Sequence, residues 1–487
     1  MTYKHTYFLL LLFIVGCVTT SCQKQWDKHD SITDAQLGKN LMDQINQNPN
    51  LSTFSGYLVK TGYDKVISSS KTFTVWAPTN TAMQSVDATI LNDTAKLKQF
   101  VGNHLSNQSY LTNVPQPSVR VQTLNGKFAT FTSTTFEEAN ITQANQYVGN
   151  GILHIIDKAI IPKLNIWEYV NSLTTTGLKQ KAYLQALNYT YTDTSKATQT
   201  GVDPTTGKPV LKPGTGVISA NTYLKTVLDV SDESKQYTFI VLADAAYDSE
   251  RSKVTKYFTT TGSYNTSLDS TTYLSARNVV KDLAFNTLIT PALLTDTLLS
   301  VNNVKVPFNK SAILSTYTAS NGIVYVMSSV NFRVKDKITP IYIQGENPAG
   351  FATTDKRANI LYRIRKDPNG NIFNDILVAG SSAGSLPASY YARYNVPNVY
   401  AATYTVSWRA LNDTGTIFSQ TLAFGTYNAT PSFTSTADLN TYDEKRLGSY
   451  TVNKYGNLNM FMVGANSTTT GQNSFTFDYV KLDPIIQ

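Results

Sequence analysis

The sequence predicts a multidomain chain in which α+β units are followed by an all-β region. Three observations carry this. Up to about residue 339, helical spacings alternate with short β-type runs. The same order of pieces recurs roughly 170–180 residues later, as an internal duplication would give. From Thr339 the helical periodicity stops and short alternating segments take over. At 487 residues the chain exceeds what a single core fills and corresponds to about three domains. The expected division is 36–163, 164–339 and 340–487, after an export segment (1–22) and a tether (23–35).

The chain opens MTYKHTYFLLLLFIVGCVTTSCQKQWDKHD, a basic start followed by an apolar run from Tyr7 to Val18 that is too short for a stable span. This reads as an export signal. Both cysteines of the protein, Cys17 and Cys22, lie at its end, so the mature domains have no thiol for a disulfide, a redox pair or a thiolate metal site. The expected use is acylation. Ile14-Val15-Gly16-Cys17 is the better local match to a lipoprotein cleavage box, whereas Cys22 has the longer apolar segment before it and a polar tether after it. Cys22 is favoured; an ordinary cleaved signal with incidental cysteines is the alternative. The expected location is therefore the outer membrane of a Gram-negative-type bacterium, facing the cell surface or the periplasm. The formal charge of +8 comes from only 15% charged residues, scattered among Thr, Asn, Ser and Tyr. Nothing clusters as a nucleic-acid footprint, and no nucleic-acid partner is expected.

Residues 31–70 carry helical spacings at Leu37, Leu41, Ile45 and at Leu51, Phe54, Leu58. A strand follows in KTFTVWAPTNTAM, where Phe73 and Val75 alternate with threonines, Pro78 ends the ladder and Asn80 is placed to cap a helix. Next come LKQFVGNHLS (97–106) and a hairpin at Asn125-Gly126, a dipeptide suited to positive φ. The unit closes in GNGILHIIDKAIIPK (149–163). This order resembles the fasciclin domain, a β-sandwich wedge with helices along one edge. Its first signature is met by Thr74-Val75-Trp76-Ala77-Pro78-Thr79-Asn80, its second by Asn150-Gly151-Ile152-Leu153-His154-Ile155-Ile156-Asp157. Asn103-His104 stands where the family carries Tyr-His.

A weaker copy follows. NNVKV (302–306) echoes NGKFA (125–129), SNGIVYVMSSV (320–330) echoes GNGILHIIDKA (149–159), and YTFIVLADAAYD (237–248) resembles the first signature without its Pro-Thr. DLAFNTLIT (282–290) is aligned with Asn286-Thr287 in place of Asn103-His104. The fold class is thus two fasciclin-like wedges with flanking helices, then an antiparallel, jelly-roll-like β-sandwich. The Gly-, Pro- and Thr-rich stretch 192–219 reads as a long exposed loop in the second copy.

After signal removal only His29, His104 and His154 remain, and His29 is in the tether. A zinc site needs three or four converging ligands and a triad needs a base beside a nucleophile. A small metal site from His104, His154 and Asp157 is one alternative; the expected one is that His154 is a polar member of a packed strand, since Tyr325 and Ser328 stand at its and Asp157's places in the second copy. Glu137-Glu138 and Asp443-Glu444 are adjacent, so each pair points to opposite faces of a strand. Phosphate loops, nucleophile elbows and HExxH motifs do not occur. No catalytic residue, metal or cofactor is expected.

In the last third, Tyr400, Ala402, Tyr404, Val406, Trp408 and Ala410 alternate with polar residues as a half-buried strand. SQTLAFGTY, LNMFMVGAN and SFTFDYVKLDPI add three more, giving a sandwich whose last strand resembles that of galactose-binding-like carbohydrate modules. ASYYARYNVPNVY (388–400) supplies Tyr390, Tyr391 and Tyr394 with Arg393 and Asn395 between them, and Pro397 argues for a loop there. These five residues are the candidate ligand contacts. What the fasciclin resemblance implies is adhesion or extracellular binding without turnover. The expected partner is a cell-surface protein or polysaccharide, with the membrane reached through an N-terminal lipid; the rival expectation is glycan capture beside an outer-membrane polysaccharide importer.

Overall fold

The structure is a computed structural model that describes residues 34–69, 71–113, 117–260, 270–380, 385–469 and 471–486. Cys17, Cys22 and the tether up to residue 33 lie outside the described residues. Among the described residues no helix is long and apolar enough to cross a membrane. The chain divides into two compact units. One gathers the residues up to Tyr169 with Val230–Gln236 and Thr318–Gly322; the other takes Val170–Asp229, Tyr237–Tyr317 and Ile323 onward.

The first unit is built on a seven-stranded sheet. In chain order its strands are β1 (Phe73–Pro78), β2 (Leu105–Ser106), β3 (Val119–Gln122), β4 (Phe128–Phe131), β5 (Thr135–Phe136), β6 (Ala139–Val148) and β7 (Gly151–Ile156); in space they run β2-β1-β7-β6-β5-β4-β3. β1 and β7 are parallel, with Phe73 opposite Gly151 and Pro78 opposite Ile156. Both are buried on both faces, as central parallel strands are. Val75, Ala77, Leu153 and Ile155 meet a helical layer that includes Leu41, Ile45, Phe54, Leu58, Leu97 and Phe100. Trp76 and Ile156 meet Phe131 and Phe136 on the other side. This two-sided burial is why Ile152–Ile156 reads as a nearly continuous apolar run. Gly151, at φ 155°, enters β7 where a Cβ would lie 2.1 Å from the Phe73 carbonyl oxygen, so the position admits no side chain. The helix after β1 is capped by Thr79, whose hydroxyl accepts from Ala82 N at 3.2 Å, and not by Asn80. Asn80 reaches back instead, accepting from Thr53 N at 2.9 Å and donating to Pro49 O at 2.9 Å.

The stretch expected as a loop, 192–219, lies within paired strands. β8 (Asn188–Thr192) pairs with β11 (Val217–Asn221), and β9 (Gln199–Val202) pairs with β10 (Pro209–Leu211). Gly207, Gly214 and Gly216 supply the positive φ of the bends, and Thr and Val extend between them. The residues of β9 are all exposed, which is why no apolar alternation announced them.

The second copy follows as β12 (Tyr237–Leu242), β13 (Ala284–Phe285), β14 (Thr297–Leu299), β15 (Lys305–Pro307), β16 (Ile313–Ala319) and β17 (Gly322–Met327). Its four-stranded sheet has the order β13-β12-β17-β16, which repeats β2-β1-β7-β6 strand for strand. The β14–β15 hairpin stands alone, whereas the matching β3–β4 hairpin is continuous with its sheet. Both hairpins turn alike: Gly126 and Asn303 hold positive φ, and Thr123 N and Ser300 N each donate across the turn, to Lys127 O and Val304 O, at 2.9 Å.

The C-terminal region is an antiparallel sandwich of β18 (Ile341–Gln344), β19 (Gly350–Phe351), β20 (Ile360–Lys366), β21 (Ile372–Val378), β22 (Tyr391–Val399), β23 (Ala402–Arg409), β24 (Phe418–Phe424), β25 (Ser432–Ala437), β26 (Glu444–Val452), β27 (Gly456–Gly464), β28 (Phe475–Phe477) and β29 (Tyr479–Pro484). The sheets are β18-β29-β23-β26, β19-β22-β27-β24-β25 and the smaller β20-β21-β28. The last strand lies beside the first, Ile341 opposite Leu482. Tyr404, Val406 and Trp408 point inward as the alternation predicts, into one core shared with Leu422, Met460, Phe477 and Leu482.

Candidate functional site

The fasciclin motif residues are internal staples. Asn150 Oδ1 accepts from Leu41 N at 2.8 Å, and its amide donates to Ile67 O and Ser69 O at 2.6 and 3.0 Å. Asn321 repeats this in the second copy, accepting from Ile166 N at 2.9 Å and donating to Val230 O and Asp232 O at 2.9 and 3.2 Å. Each thereby fixes a helix start and the turn before a central strand. His104 is fully buried; its Nδ1 donates to Phe100 O at 2.9 Å, its Nε2 accepts from Ile160 N at 3.0 Å, and Phe54 and Phe100 lie edge-on. Burial pushes its pKa down to about 4. His154 takes the opposite tautomer, donating from Nε2 to Tyr110 O at 2.8 Å and accepting at Nδ1 from Asn145 N at 3.3 Å, with its ring parallel to Trp76. Burial lowers its pKa too. Asp157 accepts from Asn140 N and Nδ2, both at 2.8 Å. All four imidazole nitrogens are therefore engaged by the fold, and the two rings do not converge with Asp157. No group of three or more metal-ligating side chains occurs among the described residues.

The register of one echo is shifted. Trp76 N donates to His104 O at 3.0 Å and Ile240 N to Leu283 O at 2.8 Å, so Asp282-Leu283, not Asn286-Thr287, occupies the place of Asn103-His104. The same register continues past β13: Thr287 belongs with Gln108, since Thr74 Oγ1 donates to Gln108 O and Thr238 Oγ1 to Thr287 O.

The five candidate contacts divide between two faces. Residues 388–400 are mostly the strand β22, and Pro397 sits at a register break between Val396 and Val399, where the ladder needs no amide. Tyr390 and Tyr394 are buried in the sandwich core, with hydroxyls donating to Thr353 O at 3.2 Å and Gly345 O at 2.7 Å. Neither presents a face to a ligand; strand alternation turns them inward. Tyr391, Arg393 and Asn395 share the outer face. Tyr391 stacks on Tyr427 at 5.0 Å and 19° over a small apolar cluster of Ala423, Phe461 and Val463. Tyr427 is 43% exposed, and Arg393 and Asn395 are exposed at the next two outward positions. Gly350, opposite Arg393 on β19, leaves room for its guanidinium. Among the described residues no hydrogen bond or ion pair engages the Arg393 or Asn395 side chain. Tyr427 escaped the sequence reading because it follows β24 in GTYNATP; an aromatic among turn residues was the available signal.

On the opposite sheet several outward groups bond to one another. Tyr479 donates to Glu444 at 3.2 Å, Ser407 donates to Glu444 at 2.6 Å, and Tyr342 lies edge-on to Tyr479. On the β22 face, Arg393 and Asn395 stand exposed beside the Tyr391–Tyr427 stack.

The model of the Fasciclin domain matches residues 49–162. No curated protein matches the chain. Among solved structures it is similar to the domain pair of the insect cell adhesion molecule Fasciclin I, at 15% identity over 60% of this chain and 100% of that one, TM-score 0.23. It is similar to a GH26-CBM35 β-(1,4)-mannanase of Podospora anserina, at 12% identity over 31% of this chain and 28% of that one, TM-score 0.21. A family 35 carbohydrate binding module from Clostridium thermocellum is similar at 15% identity over 30% of this chain and 99% of that one, TM-score 0.21. Residues 49–162 of the chain form a fasciclin domain.

Proposed function

We propose that this is a non-catalytic binding lipoprotein of the cell envelope, held by a lipid on Cys22, in which the two fasciclin-like copies serve as adhesive units and the C-terminal sandwich holds a saccharide. The observation that carries the saccharide reading is the Tyr391–Tyr427 stack with exposed Arg393 and Asn395 beside it. Aromatic faces take up the C–H groups of a pyranose ring, and the amide and guanidinium supply hydrogen bonds that fix its orientation. Nothing in this arrangement moves a proton or an electron pair. Retardation of the processed chain in gels containing soluble plant or microbial polysaccharides tests it. Tyr427→Ala is expected to weaken retardation about tenfold, since one stacked ring contributes roughly 1–1.5 kcal/mol. Absence of retardation by every polysaccharide sinks the saccharide reading and leaves protein-directed adhesion. The anchor is checked separately by labelling cells with radioactive palmitate: label retained in Cys17→Ser and lost in Cys22→Ser is the expected pattern.

A further inference from the structure

The second copy contains a wholly buried ion pair. Lys337, ending the helix Val334–Lys337, meets Asp282, which lies two residues before β13, with both side chains at 0% exposure. In the first copy the same place is held by a neutral amide. Asn125 Nδ2 donates to Asn103 Oδ1 at 3.1 Å just as Asn302 Nδ2 donates to Asp282 Oδ1 at 3.0 Å, and the Asn103 amide goes on to Ile160 O at 3.4 Å. Taking a full ammonium and a full carboxylate out of water is costly even when they are paired. The Phe332 ring centroid lies 4.1 Å from Lys337 Nζ, a cation–π contact that returns only part of the hydration the ammonium gives up. The two carboxyl oxygens are also set apart. Oδ1 accepts from Ser300 Oγ at 3.1 Å and from Asn302 Nδ2 at 3.0 Å, while Oδ2 faces Lys337 Nζ.

We propose that Lys337 and Asp282 condense into an intramolecular isopeptide bond. Proton transfer from Nζ to Oδ2 converts the ion pair into an amine and a carboxylic acid. The Nζ lone pair attacks Cγ, and the carbonyl electron pair moves onto Oδ1, where the Ser300 and Asn302 donors stabilise it. The adduct collapses as the Cγ–Oδ2 bond breaks, and Oδ2 leaves with its proton and one more from nitrogen as water. The product is a secondary amide and one water, with no change of oxidation state and no co-reactant. Fixed contact between the two groups supplies the proximity that the same reaction lacks in solution. Burial pushes the Lys337 pKa down to about 8, against the pull of Asp282 and Glu250, so part of it is an uncharged nucleophile near neutral pH. The amide removes both buried charges and ties the segment before β13 to the helix after β17, closing β13–β17 covalently.

The processed chain, denatured, digested with trypsin and sequenced by tandem mass spectrometry, decides the matter. The expected result is a branched peptide joining residues 282 and 337, lighter than its two parts by one water, with no cleavage after Lys337. Two linear peptides of full mass, with Lys337 cleaved, overturn the proposal. Lys337→Arg keeps a positive charge that does not condense, and should give full-mass linear peptides; water loss at Asp282 persisting in that variant also overturns it.

Discussion

The two fasciclin-like copies make the same bonds with different groups. Thr74 and Thr238 each bridge a strand to the segment beside it, accepting from Tyr110 N at 2.9 Å and from Ile289 N at 2.7 Å. Above that bridge His154 donates to Tyr110 O, and Tyr325 donates to Ile289 O, both at 2.8 Å. Asn80 accepts from Thr53 N and Asp244 from Lys179 N, both at 2.9 Å. Each position therefore selects a donor or acceptor at a fixed place, and not an imidazole or an amide for its chemistry. A buried backbone carbonyl must be satisfied, and any side chain that reaches it serves. The second copy looks degraded in sequence because chemistry drifted while geometry held.

The strongest way to break this comparison is to remove the asparagines. Asn150→Ala and Asn321→Ala each leave three backbone groups without their partner, and each is expected to cost roughly 3 kcal/mol or more. Denaturant unfolding followed by hydrogen exchange checks it; a large cost in one copy and none in the other would refute the equivalence. Acid comes next. An unfolded imidazole takes up a proton below about pH 6.5, whereas folded His104 does so only at about 4, so between these values the unfolded chain binds more protons and stability falls with pH. His104 alone should cost the first copy about 2 kcal/mol by pH 5, with His154 acting in the same direction. The second copy carries Leu283 and Tyr325 at these places and lacks that term, so normalised exchange protection at pH 7 and pH 5 should drop in β1 and β7 more than in β12 and β17. Smaller still is the pair His154→Gln and Tyr325→Phe: each loses or weakens one buried bond, for about 1–1.5 kcal/mol, with saccharide retardation unchanged. Smallest on stability is Arg393→Ala, within about 0.5 kcal/mol because the side chain is exposed, yet it should weaken retardation.

Legibility followed the same division. The run GNGILHIIDKA (149–159) announces a packed strand, and Asn125-Gly126 announces its hairpin, because positive φ and apolar continuity are local demands. The echo at 282–290 is displaced by four residues from its true place because a leucine stands where the first copy has His104, so residue type does not mark the position; only the ladder to β12 fixes it. The candidate contacts on β22 were half legible. Alternation alone states that 391, 393 and 395 face one way and 390 is separated from them, but Pro397 argued for a loop and hid the alternation.

By itself the sequence determined the kinds of unit, their order, the duplication and the turns, since each rests on the conformational preferences of a few adjacent residues. Which face of β22 meets the core, that Tyr427 joins Tyr391, that two histidines point apart with every nitrogen occupied, and that Lys337 meets Asp282 from 55 residues away were decided only by tertiary structure. Those facts depend on which distant segments pack together, and burial and contact across the fold are not properties of any local stretch of chain.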